Sequence, residues 1–230
     1  MFLKNESWVS GLRDDVFAFE CEFDASRYDD SLYSALSVPF PSGLSRAVTK
    51  RRAEFLAGRY CAGRALLSLG AAVTEIGFDD KRCPLWPAGM HGSITHCDDR
   101  ALAAVTSTPG TLGIDLEPIA QDHVARSLVP FIFHDRDYEL MRSTGEFELV
   151  FTSVYSAKES FFKATYPIVR KHFGFECAAV TALDFESGTF DIQLVKDIGG
   201  NVPSGLTASG KIRSSGNHVA TFIFIGRMDS

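Results

Sequence analysis

The segment Gly113-Ile114-Asp115-Leu116-Glu117-Pro118 alternates apolar and acidic residues, the period-2 pattern of a strand with one face in a core. Leu112, Ile114 and Leu116 point one way. Asp115 and Glu117 point the other, roughly 6–7 Å apart at the backbone. Carboxylates that close repel each other, and a hard divalent cation relieves the repulsion. Oxygen ligands suit Mg²⁺, which takes one or two carboxylates together with substrate phosphates. A half-exposed strand with an acidic outer face fits the same pattern, so the motif alone leaves both readings open.

Working outward, residues 147–165 read as a helix ending at Tyr166-Pro167. Within it, Ser156-Ala157-Lys158-Glu159-Ser160-Phe161-Phe162-Lys163 puts Glu159 and Lys163, i and i+4, on one side. The pair is either a helix salt bridge or a third carboxylate beside a lysine able to meet phosphate. Upstream, Gly92-Ser93-Ile94-Thr95-His96 sets hydroxyls and an imidazole beside a glycine, a combination that can bind phosphate. A Ser–His nucleophile is disfavoured, because no GxSxG elbow is present. Walker A and GxGxxG loops are absent. The contiguous run His96-Cys97-Asp98-Asp99 is a poor way to surround a tetrahedral zinc.

Charge is unevenly spread. Residues 1–45 carry three basic and eight acidic side chains, whereas residues 46–64 carry Arg46, Lys50, Arg51, Arg52, Arg59 and Arg64 against Glu54 alone. A positive patch on an acidic chain suggests a local anionic ligand, with a solvated helix face as the alternative. Residues 46–69 read as a helix, with Leu56, Tyr60, Gly63 and Leu67 on one stripe and Gly70 as its stop. Arg52 and Arg59, seven residues apart, share a face, and Arg51 sits off to its side.

The 230 residues, 45% hydrophobic and 23% charged, are those of a globular chain rather than a disordered one. The net charge of −6 argues against a nucleic-acid binder. No apolar run approaches the roughly 20 residues a bilayer span needs, and no signal peptide is visible. Five scattered cysteines without CxxC spacing read as free thiols in a reducing cytoplasm. Strands are expected at 93–96, 101–105, 112–117, 178–185, 189–194, 206–212 and 218–225, and helical pieces over 122–142, interrupted by Pro130. Helix followed by strands, twice over, predicts an α+β protein of two similar halves, residues 1–118 and 119–230, with a ligand cleft where they meet.

Taken in order, these motifs resemble the 4′-phosphopantetheinyl transferases of the Sfp type, in particular the branch of enterobactin synthetase component D. The resemblance runs from about Lys50 to Phe175. It includes Lys50-Arg51-Arg52-Ala53-Glu54-Phe55 with Gly58-Arg59, Pro84-Leu85-Trp86-Pro87, Gly92 to His96, Gly113 to Glu117, Ser156 to Lys163, and Phe173-Gly174-Phe175-Glu176. It implies a monomer with a pseudo-two-fold fold that moves the phosphopantetheine arm of coenzyme A onto a serine of an acyl or peptidyl carrier protein and releases adenosine 3′,5′-bisphosphate. It also implies site roles. Asp115, Glu117 and Glu159 would hold Mg²⁺, and Glu159 would serve as general base. Lys158 and Lys163 would meet the pyrophosphate, with one of them stabilising the leaving group. His96, with Ser93 or Thr95 nearby, would bind a phosphate. Arg51 and Arg59 would bind the 3′-phosphate, with Arg52 as an alternative to Arg51, and Lys81 is a further phosphate candidate. Phe161-Phe162 stand where many relatives carry a polar group. Two rivals use the same residues: another Mg²⁺-dependent enzyme of nucleotides or phosphate esters, and a non-catalytic module that holds carrier proteins.

Overall fold

A computed structural model describes residues 1–144, 146–200 and 202–227. The chain divides into two units, Met1–Pro109 and Gly110–Ser230. The division falls at Pro109 rather than at 118, because the acidic strand pairs with the last strand of the chain and so belongs to the second unit.

The first unit holds β1 (Leu3–Val9), β2 (Phe17–Phe23), the short α1 (Ser31–Ala35), α2 (Thr49–Ser68), a two-stranded ribbon of β3 (Gly77–Phe78) and β4 (Pro84–Leu85), β5 (His91–Cys97) and β6 (Arg100–Thr106). Its main sheet has the order β1-β2-β6-β5, and all its pairs are antiparallel. The unit therefore begins with a hairpin of strands in the acidic N-terminal stretch, where no strand was expected. α2 buries a run of small residues, Ala53, Ala57, Cys61, Ala62 and Ala65, with Leu56 and Leu66. This is not the expected stripe: Leu67 is exposed, and Tyr60 and Gly63 are half-buried. Small side chains let the helix lie close to the sheet. At Gly58 a Cβ would come within 2.8 Å of Ile94 Cγ2 on β5. The helix ends in a Schellman motif, with Gly70 at φ +80° and the Ala71 amide donating to Leu66 O. All five cysteines are free thiols, and Cys21 and Cys61 lie with Sγ atoms 3.4 Å apart.

The second unit holds β7 (Gly110–Pro118), α3 (Asp122–Ile132), α4 (Asp137–Thr144), α5 (Phe147–Val169), β8 (Ala178–Asp184), β9 (Thr189–Leu194), β10 (Thr207–Ser215) and β11 (His218–Gly226). Its antiparallel sheet has the order β7-β11-β10-β9-β8. Val150, Phe151, Val154, Ala157, Phe161 and Ala164 of α5 pack into the core with Ile192, Ile212, Val219 and Ile223 from the sheet. α5 outruns its expected end and carries Pro167 in its last turn, so the backbone hydrogen bond that the proline cannot make is lost close to where the helix stops. Arg170 then terminates it in the left-handed conformation, φ 52°. Pro130 likewise sits near the end of α3 without dividing it. Each unit combines an antiparallel sheet with one long helix, so the chain is α+β. Among the described residues, no helix is long and apolar enough to cross a membrane.

Candidate active site

β7 carries its acids inward. Asp115 is 2% exposed and Glu117 is half-buried, so the solvated acidic face that the Asp-x-Glu pattern also allowed is not what forms. Asp115 pairs across the sheet with Thr221 of β11, and Glu117 pairs with Val219. α5 crosses the same face, and Lys163 Nζ lies 2.7 Å from Asp115 Oδ1 and 3.0 Å from Ile114 O. The sequence placed Lys163 beside Glu159 on one helix; the fold brings it to the strand.

Electrostatics draw Glu159 into the same group. Burial raises its carboxyl above the usual range, the charge of Asp115 raises it further, and Lys163 partly offsets both. Tyr155, one turn before Glu159, senses all three acids. Burial first, and then Glu159, Glu117 and Asp115 in turn, push its phenol well up and keep it protonated. Three carboxylates, a lysine and a phenol thus act on one another at the contact of α5 with β7.

A buried hydroxyl cluster fixes that contact. Thr221 Oγ1 lies 2.9 Å from Ser156 Oγ and 2.6 Å from Ser160 Oγ, and it donates to Ser156 O. Sequence reasoning missed Thr221 because only strand pairing reveals that it stands opposite Asp115. Phe161 is core, whereas Phe162 gathers Tyr166, His172 and Phe173 into an aromatic cluster beside Lys163.

Lys158 differs from its expected role. It is 3% exposed, and Nζ donates to Asp137 Oδ2 at 2.5 Å, Ile132 O at 2.7 Å and Phe175 O at 3.2 Å. All three of its donors are spent on protein, so it latches α5 to the ends of α3 and α4 and to the 170–177 connection instead of facing a pyrophosphate. Burial lowers its ammonium, and the Asp137 charge opposes that. Asp137, itself fully buried, also accepts from the Val180 and His134 amides.

The first unit gathers its own cluster. Arg51 Nη1 lies 2.7 Å from His96 Nε2 and 3.3 Å from Glu54 Oε2. Arg52 is committed elsewhere, to Asp30 at 3.0 Å and Ala47 O at 2.9 Å, so Arg51 is the arginine beside His96. Arg59 is 9% exposed, lies over the Phe55 ring and donates to Gly77 O, while its Nε has no hydrogen-bond partner. Burial, and then the Arg51 charge, lower its guanidinium to about 10. It lines a pocket of about 260 Å³ with Phe40, Tyr60, Ile76 and Phe78. Two guanidiniums that repel each other beside an imidazole suit an anion. Ser93 and Thr95 also lie on β5. They are buried on the strand face opposite Ile94 and His96, because residues an odd number apart point to opposite sides. Lys81 is exposed, just after the Asp79 turn.

Hard oxygen donors that repel one another are the set a divalent cation selects, so Asp115, Glu117 and Glu159 fit Mg²⁺ in chemistry. Among the described residues, however, no group of three or more His, Cys, Asp or Glu side chains is already arranged to hold a metal ion, and Lys163 meets Asp115 Oδ1.

Comparison with known proteins gives the family. Residues 40–106 match the 4′-phosphopantetheinyl transferase N-terminal domain, and residues 111–221 match the 4′-phosphopantetheinyl transferase superfamily. The chain belongs to the 4′-phosphopantetheinyl transferase superfamily. It is 40% identical to enterobactin synthase component D of Salmonella typhimurium over 163 residues, covering 70% of this chain and 67% of that protein. It is 32% identical to the 4′-phosphopantetheinyl transferase Npt of Nocardia iowensis over 160 residues, 66% of this chain and 71% of that one. The 4′-phosphopantetheinyl transferase PptT of Mycobacterium tuberculosis is 36% identical over 141 residues, 60% of this chain and 61% of that protein. The chain is therefore a phosphopantetheinyl transferase, as its motifs implied, and enzymes of this family take coenzyme A as the phosphopantetheine donor.

Proposed function

We propose that this transferase moves the 4′-phosphopantetheine arm of coenzyme A onto a serine hydroxyl of acyl- or peptidyl-carrier proteins, acts as a monomer, and uses Asp115, Glu117, Glu159 and Lys163 for the chemistry. The observation that carries the reading is Glu159, a half-buried carboxylate made more basic by desolvation and then by Asp115, and set one helical turn before Lys163. A serine hydroxyl is a poor nucleophile and needs a base. Glu159 takes its proton, directly or through a water, as the serine oxygen bonds to the phosphorus that carries the arm and the pyrophosphate P–O bond breaks. The electron pair leaves on adenosine 3′,5′-bisphosphate. Lys163, held by Asp115, supplies positive charge to the leaving phosphate. Asp115, Glu117 and Glu159 would hold Mg²⁺, which when bound neutralises the pyrophosphate and polarises the attacked phosphorus. In the first unit, Arg51 and Arg59 bind the 3′-phosphate, the fork of each matching two phosphate oxygens. His96 binds a phosphate beside them, and exposed Lys81 is a further phosphate contact. Lys158 and Ser93 have no place in this scheme.

Incubation with coenzyme A, Mg²⁺ and an apo-carrier protein tests the reading by mass spectrometry. The carrier should gain one phosphopantetheine at its serine. An unmodified carrier with several acceptors tried would refute the transfer.

A further inference from the structure

The phosphate cluster of the first unit contains one carboxylate that the reaction above does not use. Glu54 stands one turn after Arg51 on α2, 14% exposed at its side chain. Its Oε2 lies 3.3 Å from Arg51 Nη1 and 3.8 Å from His96 Nδ1. On the other side of the ring, His96 Nε2 lies 2.7 Å from Arg51 Nη1. A guanidinium only donates, so Nε2 is the acceptor and the neutral ring carries its proton on Nδ1, the nitrogen that faces Glu54. The residue opposite His96 on β6 is Ala101, which does not titrate, and Arg51 and Glu54 of α2 are charges set against the ring.

A carboxylate beside an anion site works against anion binding through its own charge. It helps only by acting through its neighbours. A neutral His96 that accepts at Nε2 has nothing there to donate to a phosphate. With a proton taken from solvent, both ring nitrogens donate, and a carboxylate at Nδ1 favours that charged form. The same Oε2 also holds the Arg51 guanidinium. We infer that Glu54 is a positioning residue of the phosphate site: its charge, 3.8 Å from Nδ1, favours a proton on that side of the His96 ring, and its hydrogen bond holds the fork of Arg51, so that Nε2 can be turned into a donor for an incoming phosphate of coenzyme A. The inference rests on the assignment of Arg51 and His96 to that ligand.

The test is steady-state kinetics with coenzyme A and an apo-carrier protein for Glu54→Gln, His96→Ala and the double variant, together with ¹⁵N NMR of the His96 ring. Glu54→Gln should raise the KM for coenzyme A about tenfold at unchanged kcat. The double variant should be no worse than His96→Ala, because Glu54 works through the ring. The free enzyme should show the Nδ1–H tautomer, and Glu54→Gln should mix in the Nε2–H form. Additive effects, or a tautomer that ignores Glu54→Gln, overturn the inference while leaving the phosphate site standing. If His96→Ala does not change the KM for coenzyme A, the phosphate assignment falls and takes the inference with it.

Discussion

The backbone carbonyl oxygen of Ser160 on α5 occupies the space in which a side chain on Gly113 would begin. Glycine at this point of β7 lets the helix lie against the strand, and that approach brings Glu159 and Lys163 to Asp115. Gly113→Ala forces a clash between backbone and Cβ that no side-chain rotation relieves. It should cost about 3 kcal/mol and abolish transfer, read by denaturant melts alongside the carrier-loading assay. Normal activity in a folded Gly113→Ala protein would remove the helix–strand approach from the mechanism.

Glu159→Gln should cut transfer about 10²-fold or more, the usual cost of losing a general base. The raised carboxyl adds a signature in stability. A folded pKa above the unfolded one means that the favourable contribution is present below the unfolded value and is lost as pH rises through the folded one. In buffer free of divalent ions, Glu159→Gln should therefore melt higher than the parent above pH 7 and equally at pH 4. A lower melting temperature for the variant at high pH would contradict the burial argument.

Lys158 and Lys163 lie five residues apart on one helix and should behave differently. Lys158→Met leaves Asp137 charged and buried, which should cost about 3–5 kcal/mol, while adding Asp137→Asn should restore part of that. Lys163→Met also takes a cation from buried Asp115 and so should lower the melting temperature too, but in protein that is still folded it should reduce kcat about 10²-fold, a loss that Lys158→Met with Asp137→Asn should not show. The opposite pattern would return the phosphate role to Lys158.

Arg51→Ala should raise the KM for coenzyme A about tenfold and affect 3′-dephospho-coenzyme A little, whereas Arg52→Ala should leave both unchanged because Arg52 serves Asp30 and Ala47. Equal losses on both donors for Arg51→Ala would separate it from the 3′-phosphate.

Some relations were legible in advance. Ser93 and His96 are three apart on a strand, so period-2 parity already separates their faces. Others were not. β1 is mostly exposed and has little apolar alternation, so no local signal marked it, whereas Phe19, Cys21 and Phe23 of β2 do alternate with Glu20 and Glu22 and that strand was legible. The stripe chosen for α2 followed large residues, whereas the helix buries alanines, whose small size matters only once a sheet lies close by. The domain boundary moved from 118 to Pro109 because β7 answers to β11, more than a hundred residues later.

Local spacing alone determined that Asp115 and Glu117 share one strand face, that Glu159 and Lys163 share one helix side, and that basic residues concentrate in one helix, because those relations depend only on the period of each element. The tertiary structure alone decided that Lys163 rather than Lys158 meets Asp115, that Arg51 rather than Arg52 meets His96, and that Thr221 stands beneath the acids. These contacts depend on which strand pairs with which and on how closely a helix packs, and those are set by long-range burial rather than by neighbours in the chain.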